Sequence, residues 1–288
     1  MWQGAKVSVV LPTYNERDSI YEAIEDLFST GMVDEVVVVN NNAAGGTSQE
    51  VARTRAIEAF ESRQGYGYAV RKGLEAATGY YIVVSEPDGT FLGRDIMKLL
   101  AYSGDFDVVF GSRTAKDFIW EGANMGPFLR WGNWAVAKMI EVLFNTTNLT
   151  DVGCSMRLIK RPAMERIQPH LRVGGNFSGP EMMLLSAVHG LKMVQIPVNY
   201  LPRVGTSSVT GHFGKALAVG LRMIGLVLEY RVRSLARRRS SSGVERGGSP
   251  LRRLPGQVSH HRRHPLHGSW RPGAGPRRAK VRRRCVGL

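Results

Sequence analysis

The stretch YYIVVSEPDG, Tyr80–Gly89, joins a short apolar run to a polar turn that carries two carboxylates. Its first half, YYIVVS, has the β-branched and aromatic composition of a buried strand. Its second half places Glu86 and Asp88 on either side of a proline and ends on a glycine. Proline followed two residues later by glycine also suits an ordinary type I turn. The stretch therefore predicts a strand that ends in acidic side chains, either as a plain turn or as a binding site.

Apolar runs of the same kind recur along the chain and alternate with segments of helical periodicity. Buried strands are predicted at Lys6–Leu11, Asp34–Asn40, Tyr80–Ser85 and Asp107–Ser112. Helices are predicted at Asn15–Gly31, with Asn15 as N-cap, and at Thr47–Ser62, Tyr68–Gly79 and about Ile96–Leu100. This alternation predicts an α/β fold in which a mostly parallel sheet carries helices on both faces.

Polar clusters follow the predicted strands at the point where each strand ends. They are PTYNE (Pro12–Glu16), NNNAAGG (Asn40–Gly46), EPDG (Glu86–Gly89) and GSR (Gly111–Arg113). Ligands of open α/β sheets bind in the crevice outside the carboxyl ends of the strands. Two carboxylates that face one crevice are tolerated when a divalent cation lies between them and a diphosphate. As a binding site, the acidic turn would thus hold a metal and a phosphorylated ligand.

The positive charge of the chain is concentrated at its C-terminal end. The 288 residues carry a formal net charge of +15, of which residues 236–288 supply +14. This tail is rich in Arg, Gly, Pro, Ser and His and has no apolar period, so it is predicted to be disordered. It is either a solvated appendage, which is the favoured interpretation, or an anchor on anionic lipid or nucleic acid. Residues 1–212 are predicted to form the folded domain.

A segment between the predicted domain and the tail combines apolar and charged residues. Phe213–Val232 is interrupted by Lys215, Arg222 and Glu229 and is too short in apolar residues to span a bilayer. Residues 213–235 are therefore predicted to form an amphipathic helix that lies on a membrane surface or packs on the domain. With no signal peptide and only two cysteines, the chain is expected in the cytoplasm, with the inner face of the membrane as a peripheral site.

The order of the motifs resembles that of family 2 glycosyltransferases, which have the nucleotide-diphospho-sugar transferase (GT-A) fold. DVGCSMR (Asp151–Arg157), a helix that contains Glu181 and IPVNYLPRVGTSS (Ile196–Ser208) are similar to the polyprenyl-phosphate, dolichyl-phosphate mannose synthase-like branch. The resemblance covers roughly Lys6 to His212. Taken together the ordered motifs are specific, whereas each alone would be weak.

The resemblance implies a nucleotide site and a metal site. Pro12, Tyr14 and Glu16 match the first-strand motif that holds the nucleotide. Asn40 and Asn41 stand where the family usually carries acidic residues, so hydrogen bonds to base or ribose would form without that charge. The metal and diphosphate would be held by the pair that matches the D-x-D motif, Glu86 and Asp88, with Mg²⁺ or Mn²⁺ as the cofactor.

The resemblance also implies phosphate-facing and acceptor-side residues. Arg113, Arg130 and Arg203 match basic positions that face the phosphates, and Asp151 with Arg157 matches a motif that shapes the acceptor side. The three arginines come from distant parts of the chain, so they can act together only if the fold brings them to one cleft.

The function implied is inverting transfer of a sugar from a UDP- or GDP-sugar to a polyprenyl phosphate or to a glycan hydroxyl. A phosphate acceptor is already nucleophilic, whereas a hydroxyl needs a general base, for which Glu181 is the candidate. Nucleotidyl transfer would call for a Gly-rich loop with Arg and Lys after the first strand, which PTYNERD lacks. A non-catalytic nucleic-acid binder would depend on the basic tail alone and is not favoured.

Overall fold

Among the described residues, the strands form a single mixed sheet of seven. A computed structural model of the chain describes residues 1–205 and 213–244. The strands are short and mostly buried: β1 (Val7–Thr13), β2 (Glu35–Asn40), β3 (Ile57–Phe60), β4 (Tyr81–Val84), β5 (Val108–Ser112), β6 (Arg157–Lys160) and β7 (Met193–Pro197). They lie in the order β3-β2-β1-β4-β6-β5-β7.

All neighbouring strands run parallel except those that involve β6. This strand pairs antiparallel with β4 on one side and with β5 on the other. Arg157, its first residue, therefore lies opposite Val84, the last residue of β4. The mostly parallel sheet is confirmed, and the antiparallel insertion brings the start of β6 to the edge where the parallel strands end.

Eight helices connect and cover these strands within the described residues. They are α1 (Arg17–Ser29), α2 (Thr47–Ala52), α3 (Tyr66–Ala76), α4 (Asp95–Tyr102), α5 (Pro127–Phe144), α6 (Arg161–Ile167), α7 (Ser178–Val188) and α8 (Phe213–Val244).

The helices pack on both faces of the sheet because the strand side chains alternate between two apolar layers. Val10, Val37 and Val84 point into a layer shared with α3, α5, α6, α7 and α8. Their neighbours Val9 and Val83 point into the other layer, which α1 and α4 cover. A strand buried on both faces reads as the continuous apolar run seen in the sequence.

Two predicted elements differ from the structure. The helix expected over Thr47–Ser62 ends at Ala52, and Ile57–Phe60 forms the edge strand β3 instead. The N-cap position of α1 is Glu16 rather than Asn15. Glu16 accepts hydrogen bonds from the backbone N–H groups of Tyr14 and Asn15, so its side chain organises the turn before the helix.

The C-terminal helix is longer than the sequence predicts. The helix α8 runs to Val244, nine residues past the predicted end at 235, and it packs against α5 and α7. Within residues 1–205 and 213–244, no helix has the length and apolar content needed to cross a membrane. The sequence predicts disorder over residues 236–288, but residues 236–244 continue α8. The rest of the predicted tail, residues 245–288, lies outside the described residues.

Candidate active site

A large pocket opens at the carboxyl edge of the sheet, where the polar clusters were expected to meet. Its volume is about 620 Å³. One half is polar and is lined by residues that follow β1 and β4 and by the segment before β6, among them Glu16, Glu86 and Arg113. The other half is lined by α5 and α8 and is apolar, with Trp131 and Ile224 in its wall. The pocket therefore joins a charged end to an apolar groove.

At the charged end, Arg203 bridges two acidic residues from different loops. Its Nη2 donates to Glu16 Oε1 at 2.7 Å, and its Nη1 lies 3.1 Å from Asp88 Oδ2. The other Glu16 oxygen accepts from the Tyr14 and Asn15 N–H groups at 2.7 and 2.9 Å. Arg203 thus ties the loop after β7 to the turns that follow β1 and β4.

Asp88 is fully buried and, unlike its neighbours Glu86 and Pro87, is outside the pocket lining. Its two carboxylate oxygens have different partners. Oδ1 accepts from the Thr90 N–H at 3.0 Å and from the Thr90 hydroxyl at 2.6 Å. Oδ2 has the Arg203 cation at ion-pair distance but no hydrogen-bond partner among the described residues. A buried oxygen with spare acceptor capacity is a suitable metal or ligand contact.

Glu86 lies half-buried in the pocket wall beside Asp88. Desolvation first, and the negative charge of Asp88 second, raise the pKa of Glu86 above its usual value. Two carboxylates in this position repel each other, and a cation between them would remove that cost. The structure brings together the two residues that the sequence placed at a metal site.

Arg113 is placed at the pocket by a two-pronged ion pair. Its Nε and Nη2 donate to the two oxygens of Asp151 at 2.9 and 3.1 Å, and its backbone N–H donates to Oδ2 at 2.8 Å. Burial would raise the pKa of Asp151, but the Arg113 charge and these hydrogen bonds hold it below its usual value. The guanidinium also lies 5.1 Å from the centre of the Tyr200 ring. Bidentate pairs of this kind fix geometry as well as charge.

The asparagines at the end of β2 have a structural role that the resemblance did not imply. The Asn41 amide donates to the carbonyls of Glu61 and Arg63 and accepts from the Gly65 N–H, so it holds the loop before α3. Asn41 lines the pocket, whereas Asn40 does not and instead donates to Ser48 and Glu58. The expected nucleotide contact from Asn40 has no support in this geometry. Pro12, Tyr14 and Glu16 all line the pocket.

Glu181 is not placed where a general base could act. It is fully buried and is absent from the pocket lining. Its carboxylate accepts from the backbone N–H groups of Arg172 and Val173 and from the Tyr230 hydroxyl at 3.0 Å. The Arg172 side chain also pairs with Glu229 on α8 at 2.8 Å. The expectation of a base at this position is corrected: Glu181 joins α7, the preceding loop and α8.

Arg130 also departs from expectation, because its side chain is outside the pocket lining although its neighbours Leu129 and Trp131 are part of it. Two of the three predicted arginines, Arg113 and Arg203, do reach the pocket.

Sequence reasoning missed the apolar wall formed by α5. Phe128 and Trp131 line it, and Trp134 is exposed on the same helix. Their spacing of three residues was the available signal, since residues three apart share a helix face.

Comparison with known proteins decides the family. The model of the family described as "Glycosyl transferase family 2" matches residues 8–168, more than half of the chain. The chain belongs to glycosyl transferase family 2. As a family 2 glycosyltransferase it is an enzyme, and the motifs of the resemblance are confirmed at the level of the family.

Several relatives extend the match beyond the family model. A dolichyl-phosphate hexose transferase of Haloferax volcanii is 28% identical over 232 residues, which cover 79% of this chain and 96% of that protein. The low-salt glycan biosynthesis hexosyltransferase Agl6 of the same organism is 28% identical, and the match spans 61% of its length. An uncharacterised glycosyltransferase of Mycobacterium bovis is 30% identical over 75% of this chain and 95% of that protein.

Solved structures confirm the fold. Glucosyl-3-phosphoglycerate synthase from Mycobacterium tuberculosis, in complex with Mn²⁺, UDP and glucosyl-3-phosphoglycerate, superposes with a TM-score of 0.61 at 16% identity. The match covers 79% of this chain and 80% of that one. At this identity the likeness establishes the GT-A fold of this family 2 enzyme and does not bear on its substrates.

Proposed function

We propose that this enzyme transfers a hexose from a nucleotide-diphospho-sugar, UDP- or GDP-linked, to a polyprenyl phosphate. The observation that carries the proposal is the continuity of the pocket, in which a charged end and an apolar groove between α5 and α8 form one cavity. A nucleotide sugar suits the charged end, and a lipid chain suits the groove. The similarity to a dolichyl-phosphate hexose transferase supports the same acceptor class.

The donor would lie over the turns that follow β1 and β4. Glu16 and Tyr14 line this part of the pocket, with Arg203 beside them to contact the diphosphate. Departure of a nucleoside diphosphate builds negative charge on the leaving oxygen, and preorganised cations stabilise that charge in the transition state. Arg203 is held in place by Glu16 before any ligand arrives, so little reorganisation is needed.

The residues present fit a divalent cation, Mg²⁺ or Mn²⁺. Asp88 has a buried oxygen without a hydrogen bond, and Glu86 is its neighbour in the pocket wall. Within residues 1–205 and 213–244, no three His, Cys, Asp or Glu side chains gather at one point, so the diphosphate would complete the ligand set. Bound there, the cation supplies positive charge to the leaving diphosphate.

An acceptor that is already ionised agrees with the carboxylates present. Glu16 and Glu86 are the carboxylates of the described residues that line the pocket. Glu16 is engaged by Arg203 and by backbone N–H groups, and Glu86 belongs to the candidate metal pair. A phosphate oxygen attacks the anomeric carbon without surrendering a proton, and the bond to the diphosphate breaks with its electron pair. This single displacement inverts the anomeric centre.

Contact with a membrane surface is a further part of the proposal. On α8, the side chains of Leu217, Leu221, Leu228 and Val232 are exposed and share one helix face. The lining of the groove includes Leu217 and Leu221, so a polyprenyl chain could pass from a bilayer into the pocket without crossing water. The cytoplasmic face of the cell membrane would then be the working place of the enzyme.

The test is a transfer assay with labelled UDP- and GDP-hexoses, with Mn²⁺ and with a chelator. The acceptors are a short-chain polyprenyl phosphate, the matching neutral polyprenol and a free hexose. We expect metal-dependent transfer to the phosphate and none to the alcohol. Transfer to the hexose with an inert polyprenyl phosphate would refute the acceptor assignment.

A further inference from the structure

Arg157 is a third arginine of the pocket, and its surroundings differ from those of Arg113 and Arg203. As the first residue of the antiparallel strand β6, it lies opposite Val84, two residues before Glu86. Only 3% of its surface is exposed, and it lines the pocket. The antiparallel strand β6 therefore places an arginine in the lining of the pocket.

The guanidinium of Arg157 is held by neutral groups. Its Nε donates to the Ser155 carbonyl at 2.9 Å and its Nη2 to the Cys154 carbonyl at 3.2 Å, while Nη1 lies 3.8 Å from Met182 Sδ. A Cβ at Gly179 would lie 2.7 Å from both terminal nitrogens, so the guanidinium packs directly against this glycine. The position of the side chain is therefore fixed from several sides.

Among the described residues, no carboxylate lies within ion-pair distance of Arg157. The two other pocket arginines differ in this respect, since Arg113 pairs with Asp151 and Arg203 with Glu16 and Asp88. A buried charge without a counter-charge is costly. In this pocket that cost is removed if a ligand brings the counter-charge.

Two buried hydroxyls near Arg157 also have no hydrogen-bond partner in the described part of the chain. They belong to Tyr66, which lines the pocket at the start of α3, and to Ser178, the first residue of α7. Burial, and after it the Glu86 charge, raises the pKa of Tyr66, while Arg157 acts in the opposite direction. The Tyr66 hydroxyl is therefore a neutral donor in the pocket wall that can donate to a ligand.

We propose that Arg157, with the hydroxyl of Tyr66, forms a second oxyanion subsite beside the metal pair. This inference rests on the proposed function and makes it more specific. The ligand group is a carboxylate or a phosphate, recognised by a fixed guanidinium and by a hydroxyl donor. It comes from one of two sources: the carboxylate of a hexuronate on the donor, or the phosphate of the acceptor.

The test compares two tyrosine-to-phenylalanine variants that differ only in what the lost hydroxyl contacts. Tyr66→Phe removes a hydroxyl without a protein partner, so the melting temperature should stay the same or rise while ligand affinity falls roughly tenfold. Tyr230→Phe removes a hydroxyl that donates to Glu181 at 3.0 Å outside the pocket, so it should lower the melting temperature and leave affinity unchanged. Arg157→Met should follow Tyr66→Phe with a larger loss, about 100-fold, because a neutral side chain of similar length replaces the charge.

The ligand arms separate the two sources. Affinities are measured by calorimetry for UDP-glucose, UDP-glucuronate, a short polyprenyl phosphate and the matching polyprenol. A loss confined to UDP-glucuronate assigns the subsite to the donor carboxylate, and a loss confined to the polyprenyl phosphate assigns it to the acceptor. Unchanged affinity for every anionic ligand in both pocket variants overturns the inference while leaving the proposed transfer intact.

Failure of the proposed function has a different signature. If the wild-type protein binds none of these four ligands, the proposed function fails. Inorganic phosphate, titrated in the presence of a chelator, then decides the inference alone: weaker binding to Arg157→Met than to the wild type supports it, and equal binding overturns it.

Discussion

Two buried carboxylates at opposite edges of the sheet show how differently this fold treats charge. At the amino edge, Glu35 accepts from the Ser8 hydroxyl, from the Thr78 N–H and hydroxyl at 2.8 Å each, and from Lys6 at 3.0 Å. At the carboxyl edge, Asp88 has one oxygen without a hydrogen bond. Both oxygens of Glu35 accept hydrogen bonds from the protein, whereas Asp88 has one oxygen that can still bind a ligand.

The comparison of Glu35 with Asp88 distinguishes residues that stabilise the fold from residues that remain able to bind a ligand. Interactions that the protein satisfies internally lower the free energy of the folded state. Groups left without a hydrogen bond at the carboxyl edge, such as Asp88 Oδ2 and the Tyr66 hydroxyl, raise it until a ligand binds. The two edges should therefore respond in opposite ways to the same conservative substitution.

The largest effect is expected for Asp88→Asn. The amide keeps an acceptor for Thr90 but removes the charge that would hold a cation, so kcat/KM should fall about 1,000-fold or more. Arg203 loses its ion pair with Asp88 but keeps the one with Glu16, so the melting temperature should fall only slightly. Steady-state transfer assays across a Mn²⁺ series and thermal unfolding measure both. Full turnover in this variant would break the distinction between the edges.

The next effect concerns Glu181→Gln and separates a structural role from a catalytic one. The amide loses charge-assisted hydrogen bonds from the Val173 N–H and the Tyr230 hydroxyl, so the free energy of unfolding should fall by about 2–3 kcal/mol. At a temperature where the variant is folded, kcat should stay within about twofold of the wild type. A loss of kcat by two orders of magnitude in folded protein would restore Glu181 as a base.

Glu35→Gln is the counterpart of Asp88→Asn at the amino edge. It weakens the contacts to Ser8, Lys6 and Thr78, and we expect a loss of about 2 kcal/mol in the free energy of unfolding with transfer activity unchanged. Urea unfolding followed by circular dichroism gives the first quantity. If activity fell in parallel with stability, the two edges would not be independent.

The smallest effect is the pH dependence of the difference in unfolding free energy between the wild type and Glu35→Gln. Burial opposes ionisation of Glu35, but the hydrogen bonds from Ser8, Thr78 and Lys6 lower its pKa from 4.5 to about 2. A lowered folded-state pKa contributes stability that is complete above about pH 4.5 and is lost as the pH falls toward 2. The gap in unfolding free energy between the wild type and Glu35→Gln should shrink over this range. A gap that is constant between pH 7 and 3 would contradict the assignment.

The sequence was sufficient for elements whose signal is local. Apolar runs predicted β1, β2, β4 and β5, and their polar ends predicted the edge at which the pocket lies. The strand β3 gave no such signal because Ile57 and Phe60 are exposed on a short edge strand. The strand β6 has four residues, and its antiparallel direction depends on pairing with β4 and β5, which are both distant in the sequence.

Partner choice at the site could not be predicted in the same way. Glu181 looked like a base by motif order, yet its role depends on Tyr230, 49 positions away. The sequence singled out both Arg113 and Asp151 but did not predict that they pair. The pair forms because the end of β5, which precedes Arg113, lies beside the loop before β6, which contains Asp151. Such contacts are set by the tertiary fold, because each residue type is equally compatible with solvent exposure.

The antiparallel insertion of β6 also has a consequence for the order in which the molecule is made. While the ribosome has synthesised only residues up to about 150, β4 has β1 on one side and nothing on the other, since its second neighbour starts at Arg157. Its run Tyr81–Val84 is then an open, apolar sheet edge, the kind of surface that pairs with other chains. Chains that stop near Thr150 should aggregate, whereas chains extended past Lys160 can cover this edge with β6 and place Arg157 beside β4 in the same step.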